Sequence, residues 1–334
     1  MPPISSLARL AVAALATAAS CTSAAIAPAD APRIERWAFA TPSDPRSVAS
    51  LRANAAALDG VVVGLIALDT VTGSPFAPLP DTLSRIVPSS VRRMAIVTSA
   101  VGDAVHPETI RRLALDTSAL RRVAGAVAAS ARRAGYRGLI LDFDGLTRPD
   151  SDATRLVAAM MSAAVRAAGV GPVIVAVPGA DTAGYPARYF DGVADLLLVE
   201  LHHQQWATSP AGALAAPDRV RRTLGARVAE RGASRLVASL PVYGYRWRPN
   251  TVAETISYDD AVRLAAEAGV TLARDPATAT LHAVRPGADG WELWVSDAPQ
   301  VAMLEREAAS LGVRRIAYWR LGLEDSGLWR SADR

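Results

Sequence analysis

The amino-acid sequence predicts an α/β chain folded as a (β/α)8 TIM barrel with a small α+β insertion between the seventh and eighth strands. Short apolar runs of strand length alternate with longer helix-period segments from residue 28 onward, the pattern of a parallel sheet with helical crossovers. Eight such runs occur, a number that favours a closed barrel, with an open doubly wound sheet as the alternative because closure is not written in the sequence. Glycines follow the helical segments at the position where a helix has to stop.

In chain order the strands are expected at residues 37–40, 61–67, 94–98, 139–142, 173–177, 196–201, 236–240 and 316–319. Helices are expected over residues 47–58, 117–134, 152–168, 217–231 and 298–311, and Gly135, Gly169, Gly232 and Gly312 close four of them. Residues 248–296 break this rhythm with a helix over 258–268 and two extended pieces, 280–284 and 291–295. That segment reads as an insertion over the carboxyl ends of the strands. In barrel enzymes this face carries the active site, so the insertion is expected to form one wall of a cleft.

With 334 residues, 51% of them hydrophobic and 20% charged, the chain can bury a large core, which excludes a disordered protein. The net charge of +4 comes from 36 basic residues, all arginine. They stand singly or in pairs, such as Arg92 and Arg93 or Arg132 and Arg133, on helical patterns mixed with acidic residues. Such an arrangement is a solvated helix face and not the footprint of a nucleic-acid partner.

The first residues, Arg9 followed by an apolar stretch over 10–19 and a tract of small residues, read as an export signal. Cleavage after Ala27 fits, and so does lipoprotein processing before Cys21, which would leave that cysteine as a lipid anchor. The apolar run is too short to span a bilayer as an anchor, and no later segment is an uninterrupted apolar span. Export to the periplasm, the cell envelope or the medium is the expected localisation. Cys21 is the single cysteine, so the folded domain is expected to hold no disulfide.

The sharpest local feature is GYRGLILDFDGL, residues 135–146. Alternation along a strand puts Ile140, Asp142 and Asp144 on one face and Leu139, Leu141 and Phe143 on the other. In a barrel the first set points inward at the carboxyl end, where two neighbouring carboxyls couple and one retains its proton near neutral pH. A protonated carboxyl in a cleft is a general acid. An isolated Asp-x-Asp more often only ends a strand and caps the turn after it. Residues 139–147, LILDFDGLT, also resemble the nucleophile motif of haloacid dehalogenase phosphatases. Those enzymes carry the motif near the start of their fold and need a later basic residue, usually lysine. Three strand units precede the motif here, and the chain contains no lysine.

Taken together the segments resemble glycoside hydrolase family 18, in particular the bacterial modules fused to polysaccharide deacetylases and glycosyltransferases. Residues 135–144 resemble the fourth-strand signature, VPGADTAGY (177–185) the fifth-strand loop, and DLLLVELHHQQW (195–206) the sixth strand. LPVYGYRW (240–247) and AYWRLGLEDSGLW (317–329) are the nearest matches. The resemblance implies cleavage of β-linked N-acetylglucosamine glycans, chitin-like or peptidoglycan, with net retention, the substrate's acetamido oxygen serving as nucleophile. It implies Asp144 as the acid, Asp142 as the orienter of the acetamide, and Trp319 as the aromatic floor under the sugar. No cofactor and no metal are implied.

The sequence departs from the family pattern where the chemistry is. The acid is Asp144 in place of glutamate, and one methylene less retracts the proton by roughly 1 Å from atoms that must approach to about 3 Å. Arg137 and Ile140 replace polar members of the signature, His202 and His203 stand for a tyrosine and an aspartate, and Ser43 and Leu65 thin the aromatic platform. Neighbours on a strand face opposite ways, so one of His202 and His203 is expected in the cleft and the other buried. Tyr243, Tyr245, His202 and Trp206 are candidate sugar contacts, and His106 and His282 are expected in loops. The two functions this leaves are a weakened hydrolase and a non-catalytic glycan-binding or envelope scaffold protein.

Overall fold

The computed structural model describes residues 33–79, 81–102 and 104–330; the export signal and Cys21 lie outside them. Eight strands form the barrel: β1 (Glu35–Phe39), β2 (Gly60–Leu68), β3 (Arg92–Thr98), β4 (Leu139–Asp142), β5 (Val173–Pro178), β6 (Leu196–Glu200), β7 (Leu236–Pro241) and β8 (Arg315–Trp319). Each pairs in parallel with the next, and β1 pairs with both β2 and β8, which closes the sheet. All of them fall on the expected apolar runs, with their ends shifted by at most two residues.

The closed sheet divides its side chains between two cores. Leu139, Leu141, Leu197, Val199, Leu236, Ala238 and Leu240 face outward and pack against the helices. Trp37, Phe39, Val62, Met94, Ile140, Ile174, Leu198 and Val237 face inward and fill the barrel. Trp37 and Met94 are wholly buried and plug its amino-terminal end. A Cβ on Gly60 would fall 2.9 Å from Met94 Cε and 3.1 Å from Trp37 Cδ1, so glycine lets this strand lie close against the plug. The barrel is filled below, and any site has to lie at the carboxyl ends of the strands.

The helices are α1 (Pro45–Asn54), α2 (Pro107–Leu115), α3 (Thr117–Ala134), α4 (Ser151–Ala167), α5 (Pro217–Arg231), α6 (Tyr258–Ala268) and α7 (Ala298–Ser310). In α3 the buried residues Leu120, Val123, Ala124, Val127, Ala128 and Ala131 recur at spacings of three and four, and Asp116 caps it by accepting from the amides of Ser118 and Ala119. Gly135, Gly169, Gly232 and Gly312 all have positive φ at the helix ends they were expected to close. The α1 helix is shorter than expected and ends in a 3-10 turn at Ala55–Ala57. The α2 helix was not expected at all: it has nine residues, and only Asp116 separates it from α3. Its signals were Pro107 and Glu108 in the first turn and the buried stripe Thr109, Ile110, Leu113. The β2–β3 crossover carries a two-residue strand, Pro75–Phe76, antiparallel to the end of β2, and a 3-10 turn at Leu83–Arg85, and the β5–β6 crossover carries a 3-10 turn at Ala187–Phe190.

Between β7 and β8 lies an antiparallel sheet of five strands, in the order Glu254–Ile256, Gly244–Trp247, Trp291–Val295, Leu281–Arg285 and Ala273–Arg274. The helix α6 packs on it around Ala261, Leu293 and Val295. It starts with a capping box between Ser257 and Asp260. The sheet begins at Gly244 and not at residue 248. His282 belongs to one of its strands and not to a loop; its ring stacks on Trp294 at 4.1 Å between centroids. Trp247 ties this sheet to the β6–α5 loop, donating its indole N–H to the Ser209 carbonyl at 3.0 Å. Among the described residues no helix is long and apolar enough to cross a membrane.

Candidate active site

Several strands deliver side chains from their inward faces to the carboxyl-terminal mouth. On β4, Ile140 fills the barrel and Asp142 follows it on the same face; the loop then brings Asp144 beside it. On β6 the inward series is Leu196, Leu198, Glu200, so the strand ends on a carboxyl. Ser239 of β7 is in register with Glu200. Trp319 ends β8, in register with Pro241. Together they surround a cavity of about 150 Å3.

The loop after β4 is fixed from several sides. Phe143 turns outward and is buried, and the Tyr185 hydroxyl donates to the carbonyls of Phe143 and Leu146 at 3.1 and 3.3 Å. Asp150 accepts from the Thr147 amide at 2.9 Å and from Arg111 Nε and Nη2 at 2.7 and 2.9 Å. That bidentate pair and the Thr147 bonds hold the Asp150 carboxyl well below the usual carboxylate range.

The ligand oxygens of Asp142, Asp144 and Glu200 all lie within 4.8 Å of one another. Although the chain has 36 arginines, none lines this cavity. Burial and then the Asp144 charge push the Asp142 carboxyl up. Burial, Asp142 and Asp144 push Glu200 up in the same way. Asp144 is raised by burial, against which the His203 ring acts in the lowering direction. Crowding like charges in a low-dielectric pocket favours the protonated form of each carboxyl.

Both histidines line this cavity, with ring centroids 4.3 Å apart and the planes at 78°. One histidine is buried and the other is not, but both line the cavity, because β6 ends at Glu200 and strand alternation ends with it. His202 is 5% exposed and lies parallel to Trp319 at 6.0 Å. Burial, and then the neighbouring His203, depress its pKa well below the ordinary value, so the ring is neutral. His203 is about half exposed, with Nδ1 3.8 Å from Glu200. The Phe39 ring meets Trp319 edge-on at 4.8 Å, while Tyr243 and Tyr245 pack edge to face at 5.4 Å along the insertion side.

Of the candidates in the sequence, the structure gathers Asp142, Asp144, Trp319, Tyr243, Tyr245 and His202 around one cavity. Trp206 is not among them: it is 50% exposed and its indole N–H bonds the hydroxyl of Thr208. Glu200 and Ser239 were missed. The signal for Glu200 was its place in the alternation Leu196, Leu198, Glu200, one turn of the pleat beyond two barrel-filling leucines.

No family model matches the chain. It is 23% identical over 267 residues to the cortical fragment-lytic enzyme of Bacillus subtilis (strain 168), a match that covers 75% of this chain and 62% of that protein. The chain therefore spans less than two thirds of that relative. The spore cortex-lytic enzyme SleL of Bacillus megaterium QM B1551 superimposes with a TM-score of 0.80 at 19% identity, covering 90% of this chain and 73% of that one. The family 18 chitinase of Cycas revoluta, solved in complex with allosamidin, does so with a TM-score of 0.72 at 16% identity, over 89% of this chain and 98% of that one. The fold is the barrel of the family 18 glycoside hydrolases.

Proposed function

We propose that the cavity binds β-linked N-acetylglucosamine glycan, chitin-like or peptidoglycan, in the cell envelope and hydrolyses it slowly with net retention. The observation that carries this reading is the proton-holding group of Asp142, Asp144 and Glu200 in an arginine-free pocket walled by Trp319. The relatives named above as lytic enzyme and chitinase support the substrate class. At about 150 Å3 the cavity is smaller than a typical ligand pocket of roughly 300–1,000 Å3. It suits a substituent such as the acetamido group, with the sugar ring above it against Trp319.

In this reading the acetamido oxygen attacks the anomeric carbon as the glycosidic oxygen leaves and takes the Asp144 proton. Water then opens the cyclic intermediate and returns a proton to Asp144. Asp142 accepts from the acetamide N–H and so holds the acetamide oxygen in line. The short reach of Asp144 makes the first step slow. The same short acid favours a second reading, a glycan-binding envelope scaffold without turnover. The leader pattern supports export in either case, with Cys21 as the candidate lipid anchor.

The test is cleavage of defined N-acetylglucosamine oligomers and peptidoglycan fragments by the mature protein beside Asp144→Asn and Asp144→Glu. A positioned acid contributes about 10²- to 10⁴-fold. The asparagine variant is expected to lose turnover and the glutamate variant to gain about tenfold or more. No turnover by the wild type, with glycan binding unchanged in both variants, establishes the scaffold reading.

A further inference from the structure

We propose that Arg219 binds a carboxylate carried by the glycan, so that the preferred ligand is an acid-bearing glycan of the peptidoglycan type and not neutral chitin. The assignment rests on the glycan reading and adds a specificity-determining residue to it. Beside the cavity of the carboxyls lies a second one of about 150 Å3, between the ends of β5 and β6 and the first turns of α5. Glu200 and His203 line both cavities, and His203 is about half exposed. A glycan whose acetamido group fills the first cavity therefore holds its neighbouring substituents against the second.

The two walls differ in charge. No arginine lines the first cavity, whereas Arg219 lines the second. Helix α5 carries five arginines, and four of them have a carboxylate partner: Arg221 with Glu307, Arg222 with Asp218, Arg227 with Glu230 and Arg231 with Asp191. The half-buried Arg219 has no such partner among the described residues. The acids near it on this side are engaged elsewhere, since Asp218 accepts from Arg222 at 2.6 Å and Glu307 takes both Nε and Nη2 of Arg221. Asp181, in the same cavity wall, accepts from the Gly184 amide at 2.7 Å and forms no ion pair with Arg219.

Gln204 adds a neutral donor to this wall. Its Oε1 accepts from the Ala216 amide at 2.8 Å, which leaves its NH2 group as a donor without a partner among the described residues. A guanidinium and an amide NH2 in one cavity, neither with an acceptor, suit a carboxylate, which only accepts and takes charge-assisted bonds best. In peptidoglycan that carboxylate comes from the lactyl ether of the muramic acid residue or from the peptide attached to it. Chitin offers none.

The test is calorimetric titration of the mature protein in the cold, where slow turnover leaves the ligand intact. The ligands are a neutral N-acetylglucosamine tetramer, a peptide-free tetramer alternating N-acetylglucosamine with N-acetylmuramic acid, and that second tetramer carrying stem peptides. An acid-bearing tetramer is expected to bind at least about tenfold tighter than the neutral one at low salt, the difference narrowing as salt rises. Preference for the peptide-free acid assigns the lactyl carboxylate, and preference for the peptide-bearing form alone assigns a peptide carboxylate. Arg219→Gln should remove the preference without weakening the neutral tetramer, and Arg219→Lys, which keeps the charge and loses the planar fork, should retain part of it. Arg219 has no ion pair to lose, so the variants are expected to melt with the wild type; should Arg219→Gln not do so, Arg219→Met serves in the same comparison. Equal affinities for the three ligands, or a preference that survives loss of the guanidinium, overturn the carboxylate site and leave the glycan reading standing. Failure to bind any of the three overturns both.

Discussion

Trp319 sits where β8 leaves the barrel, with Phe39 against its edge and His202 parallel to it at 6.0 Å, so its orientation is set before any ligand arrives. An aromatic face held in advance loses little freedom on binding a sugar ring. Replacing it with alanine is therefore expected to weaken binding of N-acetylglucosamine oligomers by at least about tenfold, about 1.4 kcal/mol, with Trp319→Phe in between, as read by calorimetric titration. Equal affinities would move the glycan away from this wall. Trp319 and the Asp142 and Asp144 pair were legible in the sequence because strand alternation and a family-like motif marked the same positions. Glu200 was not: a single carboxyl at the end of an apolar run carries no motif, and its chemistry appears only when β6 lies near β4 across the mouth. The shared exposure of His202 and His203 to one cavity was hidden for a related reason, since it depends on where the strand stops.

At the level of elements, the position of Asp144 depends on the connection between β4 and α4. Its loop hangs on the Tyr185 hydroxyl, which reaches from beyond β5 to the carbonyls of Phe143 and Leu146, and on the Arg111 pair with Asp150. Tyr185→Phe removes the donor and leaves those carbonyls without it, a loss of about 1 kcal/mol, or about 2–4 °C in melting temperature at this size. If Tyr185 positions Asp144, cleavage of the oligomers slows with KM nearly unchanged. A fall in stability alone, with kcat intact, would make Tyr185 a structural tie only. The long helix α3 was readable to its last residue, since capping and amphipathic signals coincide there, and the ends of α5 were marked by Pro217 and Gly232. The α2 helix and the Gly244–Trp247 strand were not, because a nine-residue helix and a four-residue strand span too few repeats to show a period.

Across the whole molecule the site should be visible as a pH dependence of stability. Carboxyls whose folded-state pKa is raised bind more protons folded than unfolded. Their contribution is complete below the unfolded value of about 4 and is lost as pH rises toward the folded one. Asp142 and Glu200 belong to this class, both through burial first and neighbouring carboxyls second. His202 has the opposite sign: its depressed pKa stabilises the fold above about 6.5 and that contribution is lost as pH falls below it. Asp150 and Asp260, lowered by their partners, likewise stabilise at the higher pH. The wild-type curve sums these slopes, but the difference between wild type and Glu200→Gln isolates one carboxyl. Thermal unfolding in chelator from pH 4 to pH 8 is expected to show the two proteins nearly equal at pH 4. The variant should then gain progressively as pH rises, by a few degrees at pH 8, where about 1 kcal/mol corresponds to ~2 °C or more. A difference that does not change with pH would mean that Glu200 ionises normally in the folded chain, and the proton-holding pocket would lose its basis.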